Sequence, residues 1–328
     1  MQTLIENGIA FIIALQSMGD WLTIPMRLFS YLGTEDFFFI VLPLLYWCVD
    51  ASLGLRVGLI LVTSSMLNYT GKLLFAGPRP YWVSAHVRAL WAETTFGAPS
   101  GHAQHAVVVW GIIAAYGKKT WMWVVAILAI FLIGFSRIYL GSHFPHDVIL
   151  GWLFGSLILW AFTRLWEPLG AWIGRKTFNQ QVLIAFVVSF VFIAIGLGAT
   201  TYRSDFQIPE TWINNTLLAG TDIPAPVDAS SIFTAAGTFF GLAVGAAWIM
   251  SLGGYQASGP LEKRALRYVI GLVGVIFFWM GLGAVFPHGD GLIVYSLRFI
   301  RYALVGWWVA GGAPWVFVRL KLAGYSQA

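Results

Sequence analysis

Charge is what this sequence has least of. Only 10% of its 328 residues are Asp, Glu, Lys or Arg, against roughly 25% in a water-soluble domain. Its 19 basic and 14 acidic residues are too few to solvate the surface of a folded chain this long. Cysteine is almost absent as well. The single Cys48 excludes an internal disulfide and a cysteine-based metal site. No basic residue precedes Arg27, and Glu6 lies ahead of the apolar stretch, which argues against a cleavable signal. Short alternating segments of the kind that build a membrane β-barrel are missing too. Hydrophobic residues at 59% and aromatics at 16%, with 17 Trp, occur instead in long runs. The fold class is therefore all-α, a polytopic transmembrane helical bundle.

A bilayer crossing takes about 20 mostly apolar residues. About nine segments qualify: 36–54, 56–75, 101–117, 121–139, 147–166, 180–200, 230–251, 267–286 and 291–314. The first is interrupted by Pro43 and ends near Asp50. Residues 1–30, broken by Glu6, Asp20 and Pro25, read as an interfacial amphipathic helix. Residues 31–200 read as the membrane core, and 201–328 as a three-span extension with an external loop at 201–229. Placing the N-terminus on one face, called A, puts 11 of the 19 basic residues on the opposite face B, and 11 of the 14 acids on face A. The positive-inside rule makes B cytoplasmic. The net charge of +5 then records orientation, and no nucleic-acid partner is expected.

Six cations lie on face A against that rule, Arg27, Lys72, Arg79, Arg88, Arg137 and Arg203, and three of them stand out. Lys72, Arg79 and Arg137 lie on face A, at helix ends in segments rich in Gly, Pro and His. Lys72 through Arg79-Pro80 closes the second span, Pro99-Ser100-Gly101-His102 opens the third, and Ser136-Arg137 with His143 and Asp147 links the fourth to the fifth. Ser100 suits an N-cap, which aims the free N–H groups of Gly101 and His102 at an anion. Arg79 and Arg137 supply planar forks for phosphate oxygens and Lys72 a point charge. Pro145 suits the first position of the fifth span, which puts Asp147 in its opening turn within reach of His143. That carboxylate would fix the His143 tautomer and leave the other ring nitrogen to attack phosphorus. His102 would protonate the leaving oxygen. Hydrolysis through a phosphohistidine follows, with no cofactor and no metal.

These segments resemble the signature of the type 2 phosphatidic acid phosphatase superfamily. The resemblance rests on Lys72, Arg79, Pro80, Pro99, Ser100, Gly101, His102, Ser136, Arg137, His143 and Asp147, and covers roughly residues 35–166. It implies His143 as nucleophile, Asp147 as its partner, His102 as acid, and Lys72, Arg79, Ser100, Gly101 and Arg137 as the phosphate cradle. The phosphatase core would be the first five to six spans. The segments 75–82, 136–146 and 237–242, with the extra spans, are similar to the glucose-6-phosphatase branch.

Other polar residues carry weaker signals. His146 would sit at the mouth and bias substrate choice. Arg298 and Arg301, costly in lipid, face the bundle interior and would bind a substrate headgroup or pair with an acid such as Asp290. His105 reads as packing, and loop 201–229 as a solvated connector more than a lid. The resulting expectation is an integral-membrane phosphatase with its site away from the cytoplasm, in a bacterial-type plasma membrane or an endoplasmic-reticulum-like one. Its partners would be membrane lipids and a phosphorylated substrate, a lipid or prenyl phosphate or diphosphate ahead of a sugar phosphate. An anion transporter is the rival reading, and oligomeric state is not legible.

Overall fold

The computed structural model describes residues 2–326, which form helices and connecting loops with no strand. The chain opens with α1 (Gln2–Gln16), α2 (Thr23–Tyr31) and α3 (Glu35–Leu44), followed by α4 (Ala51–Phe75) and the short α5 (Pro80–Val83). Next come α6 (Gly101–Gly117), α7 (Thr120–Tyr139), α8 (Pro145–Gly174), α9 (Phe178–Tyr202) and α10 (Glu210–Leu218). The last third holds α11 (Ser230–Ser251), α12 (Leu261–Ile276), α13 (Leu282–Val285), α14 (Leu292–Trp307) and α15 (Ala313–Arg319). Among the described residues, seven helical stretches are long and apolar enough to span a membrane, or eight if the bent pair at the N-terminus is one span. The first expected span is shorter here, Asp36–Val49, while α6 runs over the expected 101–117 and at 17 residues falls just under spanning length.

The chain divides into two compact units. The first comprises Met1–Phe38, Leu67–Trp160 and Gly198–Asp228, and the second Phe39–Met66, Ala161–Leu197 and Ala229–Ala328.

In the first unit the N-terminal segment is two helices bent by 93°, where one amphipathic helix was expected. Gly19 makes the break with φ +116, a conformation an L side chain rarely adopts. Gln16 Nε2 fastens the end of α1 by donating to Arg88 O at 2.9 Å and Tyr139 O at 3.0 Å. On α2, Met26 buries against Tyr139 and Leu140. The close approach of α6 and α8 is set by two glycines one turn apart on α8. A Cβ on Gly151 would meet Ser100 O at 2.6 Å, and one on Gly155 would meet Gln104 O at 2.8 Å. Small residues at i and i+4 let helix backbones touch, as membrane helices commonly do. Loop 201–229 is not a bare connector, since it carries α10, whose Asn215 Nδ2 donates to Trp82 O at 2.9 Å while Trp212 lies against the Trp82 ring. Ala225 N–H donates to Thr94 O at 3.0 Å.

In the second unit, Pro43 stays inside α3, which passes into a π-helical turn over Leu45–Val49. Asp50 then starts α4, its Oδ1 accepting the Leu53 N–H at 2.9 Å. Along α11, Gly237, Gly241 and Gly245 meet the backbone of α14 at Phe299, Ala303 and Trp307. The 237–242 segment noted in the sequence is thus a helix-packing ridge. Arg267, one of the 11 basic residues that the charge count places on face B, is fully buried. It donates to Tyr255 Oη at 2.9 Å, Ala257 O at 2.8 Å and Gln256 O at 3.2 Å, pinning the loop ahead of α12. Tyr255 Oη in turn donates to Trp47 O at 2.5 Å.

Candidate active site

The first unit gathers all three motifs. Lys72 ends α4, Arg79 precedes Pro80 of α5, Ser100 and Gly101 begin α6, Arg137 lies in the last turn of α7, and Asp147 lies in the first turn of α8. Pro145 is the first residue of α8, as the sequence implied. The 140–144 turn folds back on α7, because Ser142 and His143 both donate their N–H to Arg137 O, at 3.1 and 3.2 Å. Ser100 N–H donates to Asp147 O at 2.9 Å, which ties the second motif to the third. Gly97 completes this junction, since a Cβ there would lie 2.7 Å from Pro78 O and 3.0 Å from Asp147 Oδ2. Beneath it, the buried Asn68 Nδ2 donates to Gln104 Oε1 at 3.0 Å and Pro99 O at 3.2 Å.

Arg79, Arg137, Ser100, His143 and Asp147 are all fully buried, an arrangement membrane interiors tolerate only where the groups are used or paired. Arg79 is clamped in place, with Nε donating to Thr95 O at 2.6 Å and Nη1 to Ser142 O at 2.9 Å. The same Nη1 lies 3.3 Å from His143 Nε2. A guanidinium only donates, so Nε2 must carry the lone pair and Nδ1 the proton. Nδ1 faces Asp147 Oδ2 at 3.6 Å, beyond hydrogen-bond length. That carboxylate oxygen accepts the Phe144 N–H at 2.9 Å. Burial, and then the Arg79 charge, hold the His143 imidazole well below the usual histidine range, so the ring stays neutral.

Several polar atoms around this point are buried without a hydrogen-bond partner: Ser100 Oγ, His102 Nε2, Arg137 Nε and His143 Nδ1. Ser100 has the extended backbone of an N-cap, yet its hydroxyl makes no capping bond. A cluster of unspent donors beside fixed cations at a helix start is what an anionic ligand requires. Lys72 Nζ donates to Thr95 Oγ1 at 2.8 Å, on the same segment that Arg79 holds.

One residue of the cluster was not anticipated. Glu93 Oε2 accepts from Arg79 Nη2 at 2.6 Å, Oε1 accepts from Arg137 Nη2, and Oε1 lies 3.7 Å from His102 Nδ1. Burial opposes ionisation of this carboxyl, but Arg79, Arg137 and Lys72 hold it well below the usual carboxylate range. The available signal was that Glu93 is the one acid between Arg79 and Ser100, where two arginines need a counter-charge. Ser30 was missed as well; its Oγ accepts from Arg137 Nη1 at 2.6 Å. Trp91 adds its ring face to the Arg137 guanidinium, 5.4 Å away.

His146 is part-exposed, stacks on Phe144, and places Nε2 3.4 Å from Asp147 Oδ1. Arg298 and Arg301 belong to the second unit. There Arg298 Nε donates to Thr234 Oγ1 at 2.7 Å, and both guanidiniums lie over the Tyr302 ring. Asp290 is engaged by the Tyr295 hydroxyl at 2.7 Å.

The profile of the PAP2 superfamily matches residues 53–171, and that of the PAP2 superfamily phosphatase transmembrane extension matches residues 233–325. The protein is an integral-membrane helical phosphatase. Residues 53–171 form a PAP2 superfamily domain, as the motif residues within them implied. The chain is 26% identical over 298 residues to glucose-6-phosphatase catalytic subunit 1 of Felis catus, covering 82% of each. It is 28% identical to glucose-6-phosphatase 3 of Bos taurus, over 50% of this chain and 54% of that protein, so the match spans about half the length of that relative. An undecaprenyl-diphosphatase of Sulfolobus acidocaldarius is 33% identical over 107 residues, 32% of this chain and 52% of that one. Among solved structures, a transmembrane phosphatidylglycerolphosphate phosphatase from Bacillus subtilis aligns with TM-score 0.45 and 25% identity, over 51% of this chain and 88% of that one.

Proposed function

We propose that the protein hydrolyses a phosphate monoester through a phosphohistidine, with its site on the non-cytoplasmic face of the membrane. The observation that carries this reading is the His143 Nε2 lone pair, held 3.3 Å from Arg79 Nη1 among unspent donors. The phosphoryl oxygens are received by Arg79, Arg137, Lys72, Ser100 Oγ and the N–H groups opening α6. Nε2 forms the P–N bond as the bond to the leaving oxygen breaks. His102 gives that oxygen its proton and then takes one from the water that cleaves the P–N bond. Asp147 balances the proton on Nδ1, and their 3.6 Å separation shortens as positive charge develops on the ring. His146 and the headgroup role for Arg298 and Arg301 stay secondary to this cradle. The face follows from the skewed distribution of the basic residues.

Similarity over 82% of the feline glucose-6-phosphatase supports a small hydroxylated substrate such as a sugar phosphate. A lipid or prenyl phosphate is the second reading, supported by the shorter but closer likeness to the archaeal undecaprenyl-diphosphatase. The test is phosphate release by the full chain in detergent from glucose 6-phosphate, phosphatidic acid, phosphatidylglycerophosphate and a prenyl diphosphate. Release from at least one is expected. Silence on all four from folded protein overturns the hydrolase reading.

A further inference from the structure

Glu93 poses a problem for any phosphatase built on this cradle. Its two carboxylate oxygens sit on the Nη2 atoms of Arg79 and Arg137, the forks that a phosphoryl group needs. Every N–H of Arg79 is engaged by protein, and the one anionic acceptor among its partners is Glu93. The Glu93 backbone cannot withdraw. Its N–H donates to Tyr81 Oη at 2.9 Å, and its carbonyl accepts from the same hydroxyl at 2.7 Å. Only the side chain is free to move, and it is 21% exposed while both guanidiniums are 0% exposed, so it stands on the outer side of the cations.

We propose that Glu93 is a specificity-determining residue: its carboxylate competes with the substrate phosphate for Arg79 and Arg137, turns to the mouth on a fixed backbone, and there disfavours diphosphates. This rests on the phosphomonoesterase reading above. Formal charge carries the argument. Lys72, Arg79 and Arg137 supply three positive charges, and a monoester phosphate brings about −2 near neutral pH. With the displaced Glu93 carboxylate those three positive charges are matched, and Asp147 beside His143 leaves no surplus to receive more negative charge. A diphosphate brings about one further negative charge, and its second phosphoryl group must lie on the outer side, beside Glu93. Like charges at close range in a partly desolvated mouth are costly. A hydroxylated leaving group meets no such penalty, because a carboxylate accepts hydrogen bonds from alcohols.

The test compares two substrates with the same alcohol, farnesyl phosphate and farnesyl diphosphate, in the wild-type full chain and in E93Q. Glutamine keeps the shape and removes the charge. The kcat/KM ratio of diphosphate to monophosphate is expected to rise about tenfold in E93Q. In parallel, calorimetric titration of the same proteins with orthophosphate and pyrophosphate should show pyrophosphate gaining more affinity than orthophosphate. An unchanged ratio in both measurements, or equal losses for both ligands, overturns the proposal and makes Glu93 a fixed support of the arginines. If the wild type releases phosphate from none of its substrates, the hydrolase reading fails while the titrations still decide the role of Glu93. Should E93Q not fold, E93D keeps the charge on a shorter arm. It should bind orthophosphate more tightly than wild type by weakening the Arg137 contact, and equal affinity overturns the proposal.

Discussion

Arg79 Nη1 approaches His143 Nε2 to 3.3 Å, and this single contact assigns the tautomer of a buried imidazole. Because the guanidinium has no lone pair, the ring nitrogen turned toward it is the one that carries a lone pair, as the proposed nucleophile must. His143→Ala should therefore abolish phosphate release while the protein still elutes as a folded species in detergent. Arg79→Lys keeps the charge but loses the fork that spans Thr95, Ser142, Glu93 and His143. Its kcat/KM should fall about 100-fold, near 3 kcal/mol of transition-state stabilisation. Wild-type rates in either variant sink the assignment.

The neutral state of His143 has a pH signature. Its folded pKa lies well below 6.5, so Nε2 keeps its lone pair as pH falls through 6.5. A profile of kcat/KM in glucose 6-phosphate or phosphatidic acid should show no His143 titration near 6.5, with its acidic limb displaced below that value. The same shift bears on stability. The unfolded chain takes up a proton below about pH 6.5 that the folded ring refuses, so this group's contribution is present above 6.5 and is lost as pH falls toward the folded value. Glu93 adds to it lower down. Its folded pKa is depressed, so its stabilisation is present above 4.5 and lost as pH falls through the folded pKa. Thermal unfolding midpoints in detergent should be level above pH 7 and decline in two stages on acidification. In E93Q the lower stage should disappear.

How much of this was legible in the sequence follows from what kind of signal each part leaves. Lys72, Arg79 and Arg137 announce themselves because they break the charge bias of a membrane chain, and Ser100, His143 and Asp147 because they sit at helix ends, where Pro145 and Ser100 mark the starts. Helix existence was legible for the same reason, through long apolar runs. Glu93 was not, because it lies in an irregular segment without periodicity, and one acid among 11 on its face carries no mark of its position. Ser30 was hidden by distance along the chain, 107 residues from Arg137. The burial of Arg267 was not legible, since a buried arginine bonded to carbonyls reads in sequence like a solvated one.

The glycines of α8 make a mechanical prediction. Gly151 faces Ser100 O, so a side chain there pushes α6 away from α8 and moves Ser100 and Gly101 relative to His143. Gly151→Val should leave the helices intact yet lower kcat about 100-fold, the scale expected when reacting groups are misplaced by about 1 Å. A variant with unaltered kcat would show that the cradle does not depend on this helix contact.

The second unit can be tested through Arg267. Its guanidinium satisfies Tyr255 Oη and three consecutive backbone carbonyls in a buried loop, and among the described residues no carboxylate shares the task. Arg267→Met keeps much of the volume but leaves those acceptors without donors. A loss of about 3 kcal/mol is expected, since bonds from charged donors contribute roughly 1.5–3 kcal/mol each. The measurement is the unfolding midpoint in detergent, where an unchanged value would show that water replaces the guanidinium.

Chelation and vanadate address the source of the catalytic charge. Transition-state charge on a phosphoryl group is neutralised either by a bound metal ion or by fixed cations. Here Lys72, Arg79 and Arg137 converge on one point, with Arg79 and Arg137 locked by hydrogen bonds, and they would repel a divalent ion from the same volume. Phosphate release should therefore persist at full rate in excess EDTA. Orthovanadate, which adopts five-coordinate geometry when a nitrogen ligand adds to it, should bind where His143 Nε2 meets the cradle and inhibit competitively. That inhibition should be lost in His143→Ala, assayed as vanadate binding because the variant turns over no substrate. Activity abolished by EDTA and restored by a divalent metal would overturn the histidine mechanism.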